Sequence, residues 1–178
     1  MFTIIALLLV GLLAIFVAII ATRPATFRVS RSATMAAPAE VAFAQINDLR
    51  LFQAWNPFGD ADPNHTKTFE GPPQGVGSIF RWSGNNKVGQ GSMTIVHIEP
   101  QRRVRIQLDF IKPFRATHQA EFTFEQSAST TTVTWIMTGD NNFLAKAFQM
   151  FCSMDTMVGN EFNRGLAKLK TIVEPPAA

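Results

Sequence analysis

Hydrophobic and polar positions divide the chain into an unbroken apolar run, a stretch of two-residue alternation and a final stretch of helical period. Residues 2–21, FTIIALLLVGLLAIFVAIIA, hold no charged side chain, and fourteen of the twenty are Leu, Ile, Val or Phe. At ~1.5 Å rise per residue such a helix reaches roughly 30 Å, the hydrocarbon thickness of a bilayer. Those side chains favour insertion by very roughly 4 to 8 kcal/mol in sum. Thr22 to Thr26 form a short link, with Pro24 helping to end the helix.

Phe27 to Met35 alternate weakly and predict a first strand. Pro38 then begins a short helix with Val41, Phe43, Ala44 and Ile46 on its apolar face. Asn47-Asp48 can cap a second, containing Leu49, Leu51 and Phe52, which stops before Trp55-Asn56-Pro57-Phe58. Gly59 to His65 is polar and reads as loop.

From there the period is two. Gly77–Ser83 and Val88–Ile98 read as a hairpin around Gly84-Asn85-Asn86-Lys87, with Gly89 and Gly91 suggesting a bulge. Val104, Ile106, Leu108 and Phe110 alternate with Arg105, Gln107 and Asp109 in the cleanest half-buried strand of the chain. Beyond Lys112-Pro113, Ala120, Phe122 and Phe124 share one face of the next strand. Val133, Trp135 and Met137 share one face of the last.

From Asn142 to about Val173 apolar residues recur at spacings of three and four, which predicts one helix of about 45 Å. Antiparallel strands in sequence and one long amphipathic helix imply an α+β layer, a curved sheet gripping the helix. The expected organisation is a transmembrane anchor over 1–22, a linker over 23–26, one domain over 27–174 and a tail over 175–178.

Charge orients the anchor. Arg23, Arg28 and Arg31 follow the run with no acidic residue before Glu40, so the large domain is expected on the cytoplasmic side of a single-pass membrane protein. A cleaved signal peptide is the competing reading. It fits less well, because no Lys or Arg precedes the run, the apolar core is too long and ATRPAT offers no convincing cleavage site. Cys152 is the single cysteine, which excludes an intramolecular disulfide. The net charge is +3 and the basic residues are scattered, so no nucleic-acid partner is expected. With 16 Phe, 3 Trp and 7 Met but no Tyr, the chain is rich in apolar rings that lack a hydroxyl; such residues fill cores or line greasy cavities.

This order of elements resembles the SRPBCC (START-like) superfamily, in its polyketide cyclase/dehydrase-like branch. Arg31-Ser32-Ala33-Thr34-Met35-Ala36-Ala37-Pro38 followed by Val41 and Phe43 is similar to the family's opening strand and helix. Asp48 through Trp55-Asn56-Pro57-Phe58 resembles its "D…W.P" segment. Gly75-Val76-Gly77, Trp82-Ser83-Gly84-Asn85 and Gly89-Gln90-Gly91 resemble its middle hairpin. The resemblance covers about residues 27–173 and implies a helix-grip fold enclosing a hydrophobic cavity. It implies no particular reaction, since the superfamily holds lipid carriers, hormone-binding proteins, cyclases and modules without a ligand.

The expected ligand-binding residues are Trp55, Phe58, Phe80, Trp82, Met93, Phe110, His118, Phe122, Trp135, Phe151 and Met154. The alternative is that these rings pack against one another as ordinary core. Strand parity puts His118 on the face of Ala120 and Phe122, where it can orient a ligand or move a proton; its place near the strand's start equally fits solvation or a backbone bond. Arg81 and Asp109 are expected outside or at the rim, Asp140 as the cap of the long helix, and Asp155 and Glu161 near its apolar stripe, on a solvated face or else reaching the cavity mouth. Cys152 lies between Phe151 and Met154 without a nearby base and is expected to be inert. His65, His97 and His118 are far apart with no paired Cys/His spacing, so neither metal nor cofactor is expected.

The functional expectation is a membrane-anchored domain that binds a hydrophobic small molecule or lipid. A cyclase or dehydratase working through His118 is one alternative, and a non-catalytic module docking another membrane protein is the other. The sequence names neither the ligand nor a protein partner.

Overall fold

The structure, a computed structural model, describes residues 2–148, 150 and 153–174. Helix α1 (Phe2–Ala21) is exposed along almost its whole length; only Ile20, at its C-terminal end, is buried. Strand β1 (Thr26–Met35), short helices α2 (Ala39–Asn47) and α3 (Leu49–Phe52) and a 3₁₀ turn (Pro57–Ala61) follow. Strands β2 (Thr66–Glu70), β3 (Ile79–Ser83), β4 (Gln90–Glu99), β5 (Arg103–Lys112), β6 (Ala116–Ser127) and β7 (Thr130–Asp140) complete a curved antiparallel sheet. Its spatial order is β1-β7-β6-β5-β4-β3-β2, so the first strand lies beside the last. Helices α4 (Phe143–Phe148) and α5 (Met154–Val173) close the chain.

The alternation of apolar side chains puts the core on one face of this sheet. Val104, Ile106 and Leu108 of β5, Ala120, Phe122 and Phe124 of β6, and Val133, Trp135 and Met137 of β7 are all buried. They meet Phe162, Leu166, Leu169 and Val173, the buried stripe of α5. The two short helices add Ile46, Leu49 and Phe52. Asp48 caps α3 as expected, its carboxylate accepting from the Arg50 amide at 2.7 Å.

Several expectations are corrected. The helix expected over 142–173 is two: α4 and a 20-residue α5, about 30 Å long rather than 45 Å. Ser153 starts α5 by accepting from the Thr156 amide at 3.3 Å. The apolar period hides this break, because the sequence of α4 keeps the spacing of three and four that α5 continues. Asp140 caps no helix. It ends β7, paired with Thr26 of β1, and Asn142 provides the α4 cap by accepting from the Ala145 amide at 2.8 Å. Strand β2 lies outside the expected set, because an edge strand exposed at nearly every position shows no alternation. Within the expected loop Gly59–His65, residues 59–61 belong to the 3₁₀ turn, whose first amides are capped by the Asn56 side chain. Gly77 (φ +88°) and Gly89 (φ +70°) precede β3 and β4 rather than lying within strands. The bulge expected near Gly89–Gly91 is present as a register shift between Gln90 and Gly91.

Candidate functional site

Every second residue of β3, β5, β6 and β7 points toward α5, and the space between is not filled. A cavity of about 410 Å³ remains. Phe80 and Trp82 of β3, Met93 of β4, Leu108 and Phe110 of β5, and His118, Ala120 and Phe122 of β6 form one wall. Trp135 and Met137 of β7 continue that sheet wall, and Met154, Val158 and Phe162 of α5 face it. Trp135 stacks on Phe162 with centroids 4.0 Å apart and planes at 8°, and lies 4.9 Å from Phe122. That stack holds α5 against the sheet at the depth of the cavity.

Glycines let the large rings fit. A Cβ on Gly91 would stand 2.5 Å from the Trp82 ring, and one on Gly165 would stand 2.9 Å from Trp135. The Trp82 indole N–H donates to the Val88 carbonyl at 3.2 Å, which ties the ring to the β3–β4 turn.

His118 is half-buried among these rings. Its ring packs edge-on to Phe27 at 5.0 Å and tilted against Phe110 at 5.4 Å. Across the strand pair it lies over Gly139, where a Cβ would collide with the imidazole. Its Nδ1 is enclosed and has no hydrogen-bond partner among the described residues; the same is true of Trp135 Nε1. Burial pushes the His118 pKa below the usual histidine value, against a smaller upward pull from the Asp140 charge. The imidazole is therefore neutral at pH 7. Asn56 and His65 add polar lining, the latter with its Nδ1 bonded to the Asp62 carbonyl.

Nine of the expected residues are brought together around this space: Phe58, Phe80, Trp82, Met93, Phe110, His118, Phe122, Trp135 and Met154. Trp55 lies behind the wall. It is fully buried against Phe52 at 4.5 Å and donates its indole N–H to the Gln45 carbonyl at 3.3 Å. Phe151 and Cys152 lie outside the described residues. Of the expected rim and surface charges, Arg81 pairs with Glu70 at 2.9 Å and Asp109 accepts from Thr117 at 2.7 Å. Asp155 holds Arg31 of β1 in a two-pronged contact at 2.9 Å, and Glu161 pairs with Arg164 on its own helix. The Arg31 guanidinium keeps the Asp155 carboxyl below the ordinary aspartate range.

Leu108, Ala116, Ala120, Met137, Val158 and Phe162 line the cavity without having been singled out. Strand parity and the i, i+4 stripe of α5 carried that signal. Lys87, Lys112, Pro113 and Phe114 line the mouth. Lys87, Pro113 and Phe114 lie on turns and Lys112 ends β5, where no period marks them.

The family described as polyketide cyclase/dehydrase and lipid transport matches residues 26–174. Among solved structures, a protein from Chromobacterium violaceum superposes with a TM-score of 0.60 at 14% identity, covering 86% of this chain and 99% of that one. A Mesorhizobium loti protein gives 0.61 at 14% identity, with 85% and 100% covered. The Aha1 dimer of Colwellia psychrerythraea gives 0.57 at 17% identity, with 85% and 99% covered. At these identities the likeness is one of fold. No match was found among curated proteins.

Proposed function

Because the chain belongs to the polyketide cyclase/dehydrase and lipid-transport family, we propose that it holds a hydrophobic small molecule or lipid in its internal cavity, beside a membrane. The observation that carries this reading is the cavity itself: about 410 Å³, walled by Phe, Trp, Met and Leu. That volume falls within the ~300–1,000 Å³ typical of ligand pockets, and the lining is the mixture such pockets use. Binding draws on apolar burial at about 25 cal/mol per Å², less the cost of ordering the ligand. His118, through its Nε2, and Asn56 are the polar groups that orient a headgroup.

Helix α1 supplies the location. An 18-residue stretch of this 20-residue helix has a mean hydropathy of 3.3, enough to cross a membrane by length and composition, a test that a signal sequence near the N-terminus also passes. We read it as an uncleaved anchor over 1–22, with the arginines that follow placing the domain over 27–174 on the cytoplasmic side. Tethering raises the domain's concentration near lipophilic ligands.

The test uses a fatty acid carrying a photoreactive diazirine, added to membranes containing the full chain. Cross-links are expected on inward residues of β5, β6 and α5, and Ala120→Trp, which puts an indole into the cavity, removes them. Labelling confined to α1, or unchanged by Ala120→Trp, overturns the reading. The placement of His118 favours a second reading, a cyclase or dehydratase on a ketone-bearing substrate. It requires that His118→Ala abolish turnover while ligand binding persists.

A further inference from the structure

The cavity mouth and the end of α1 lie at the same end of the sheet. Register shows this: Thr26 of β1 faces Asp140 of β7, Gly139 faces His118 of β6, and Ala116 faces Phe110 of β5. Neighbouring strands are ~4.8 Å apart, so the β5–β6 turn stands about 10–14 Å from the start of β1. The link from α1 to β1 is short and tied down. Ile20 is buried, α1 packs on α4, and the Asn141 amide and side chain donate to the Ala25 and Pro24 carbonyls at 2.7 and 3.2 Å. An α1 in a bilayer therefore leaves this end of the sheet no room to stand away from it.

The surface there fits an interface between lipid and water. Phe114, in the β5–β6 turn, is 73% exposed while also lining the mouth; Phe58, 43% exposed, lines the opposite lip. Lys87 and Lys112 line the mouth beside them, Arg115 shares the β5–β6 turn with Phe114 and Arg23 follows α1; none of the four is in an ion pair among the described residues. Asp109 accepts from Thr117 and Gln107 and Asp62 from the Asn85 amide, all neutral donors, so both keep their charge, as does the exposed Asp140; the four basic side chains outnumber them.

We propose that this mouth is a bilayer-docking face: Phe114 enters the interface of the membrane that holds α1, and the basic collar takes anionic headgroups. The inference rests on the anchor and cavity readings above and deepens them, since it makes the bilayer the direct source of the ligand. Aromatic rings settle at the headgroup level, and each basic side chain near an anionic surface contributes roughly fivefold in partitioning. The cavity would then open into lipid rather than water.

The test reconstitutes the full chain, wild type and Phe114→Trp, into phosphatidylcholine vesicles with and without phosphatidylglycerol. Part of the lipid is brominated near the headgroup to quench nearby indoles. The docked mouth predicts that the emission added by Phe114→Trp falls by about half or more, as for an indole seated in the interface, and falls further with phosphatidylglycerol. Emission at that position unquenched in both lipids overturns the docking face. Trp82 and Trp135, which line the cavity, report in the wild type above the constant emission of Trp55, which is buried behind its wall. Their quenching with position 114 unquenched removes docking and leaves the cavity reading intact; the converse supports docking and removes cavity binding. A mature chain lacking α1 and found free in solution overturns the proposal outright.

Discussion

Gly139 and His118 show what a single position contributes. His118 reaches the cavity only because nothing projects from Gly139 across the strand pair, and Phe27 closes the other side. Gly139→Ala is expected to destabilise the domain by about 1–3 kcal/mol, the usual cost of overpacking, read from denaturant unfolding. The imidazole's own signature is its pH dependence. Its folded pKa lies below the unfolded value of about 6.5, so the unfolded chain binds the extra proton. Its contribution is complete above that value and is lost as pH falls through the folded pKa. His118→Gln should therefore show a shallower fall in Tm than the wild type between about pH 7 and the acid range. Equal slopes would mean that the histidine is solvated. Strand parity alone placed His118 inward; its partner Gly139 becomes visible only with the β6–β7 register.

At the scale of elements, what could be read depended on burial. Strands β5, β6 and β7 bury one face and expose the other, so alternation revealed them and their lining residues. Strand β2 buries almost nothing and left no trace. Helix α5 announced its stripe, but its start was masked because α4 keeps the same apolar spacing across the break. The start is set by Ser153 and by Arg31 gripping Asp155 from β1. Ser153→Ala should cost roughly 0.5–2 kcal/mol, as lost N-caps do. Asp155→Asn should cost less than Ser153→Ala, because that carboxylate is well exposed and its ion pair is screened. Thermal unfolding of the two variants side by side ranks them. The reverse order would mean that the ion pair, not the cap, fixes where α5 begins.

For the whole molecule, the pairing of β1 with β7 does the decisive work. It brings the chain's first strand to the sheet's C-terminal edge and so sets α1 at the cavity's open end. Sequence order showed an N-terminal apolar run long enough to span a membrane and a helix-grip domain. It gave no sign that the two meet at the mouth, because that follows from sheet order and not from any local pattern. An intact anchor predicts that alkaline carbonate leaves the protein in the membrane fraction and that its N-terminal peptide still contains Phe2–Ala21. A soluble chain beginning beyond Ala21 would assign the run to export. The most direct measurement is native mass spectrometry of the full chain released gently from its own membrane. A hollow that holds lipid predicts a discrete added mass of one apolar molecule, absent from Ala120→Trp. A bare protein mass in both would contradict it.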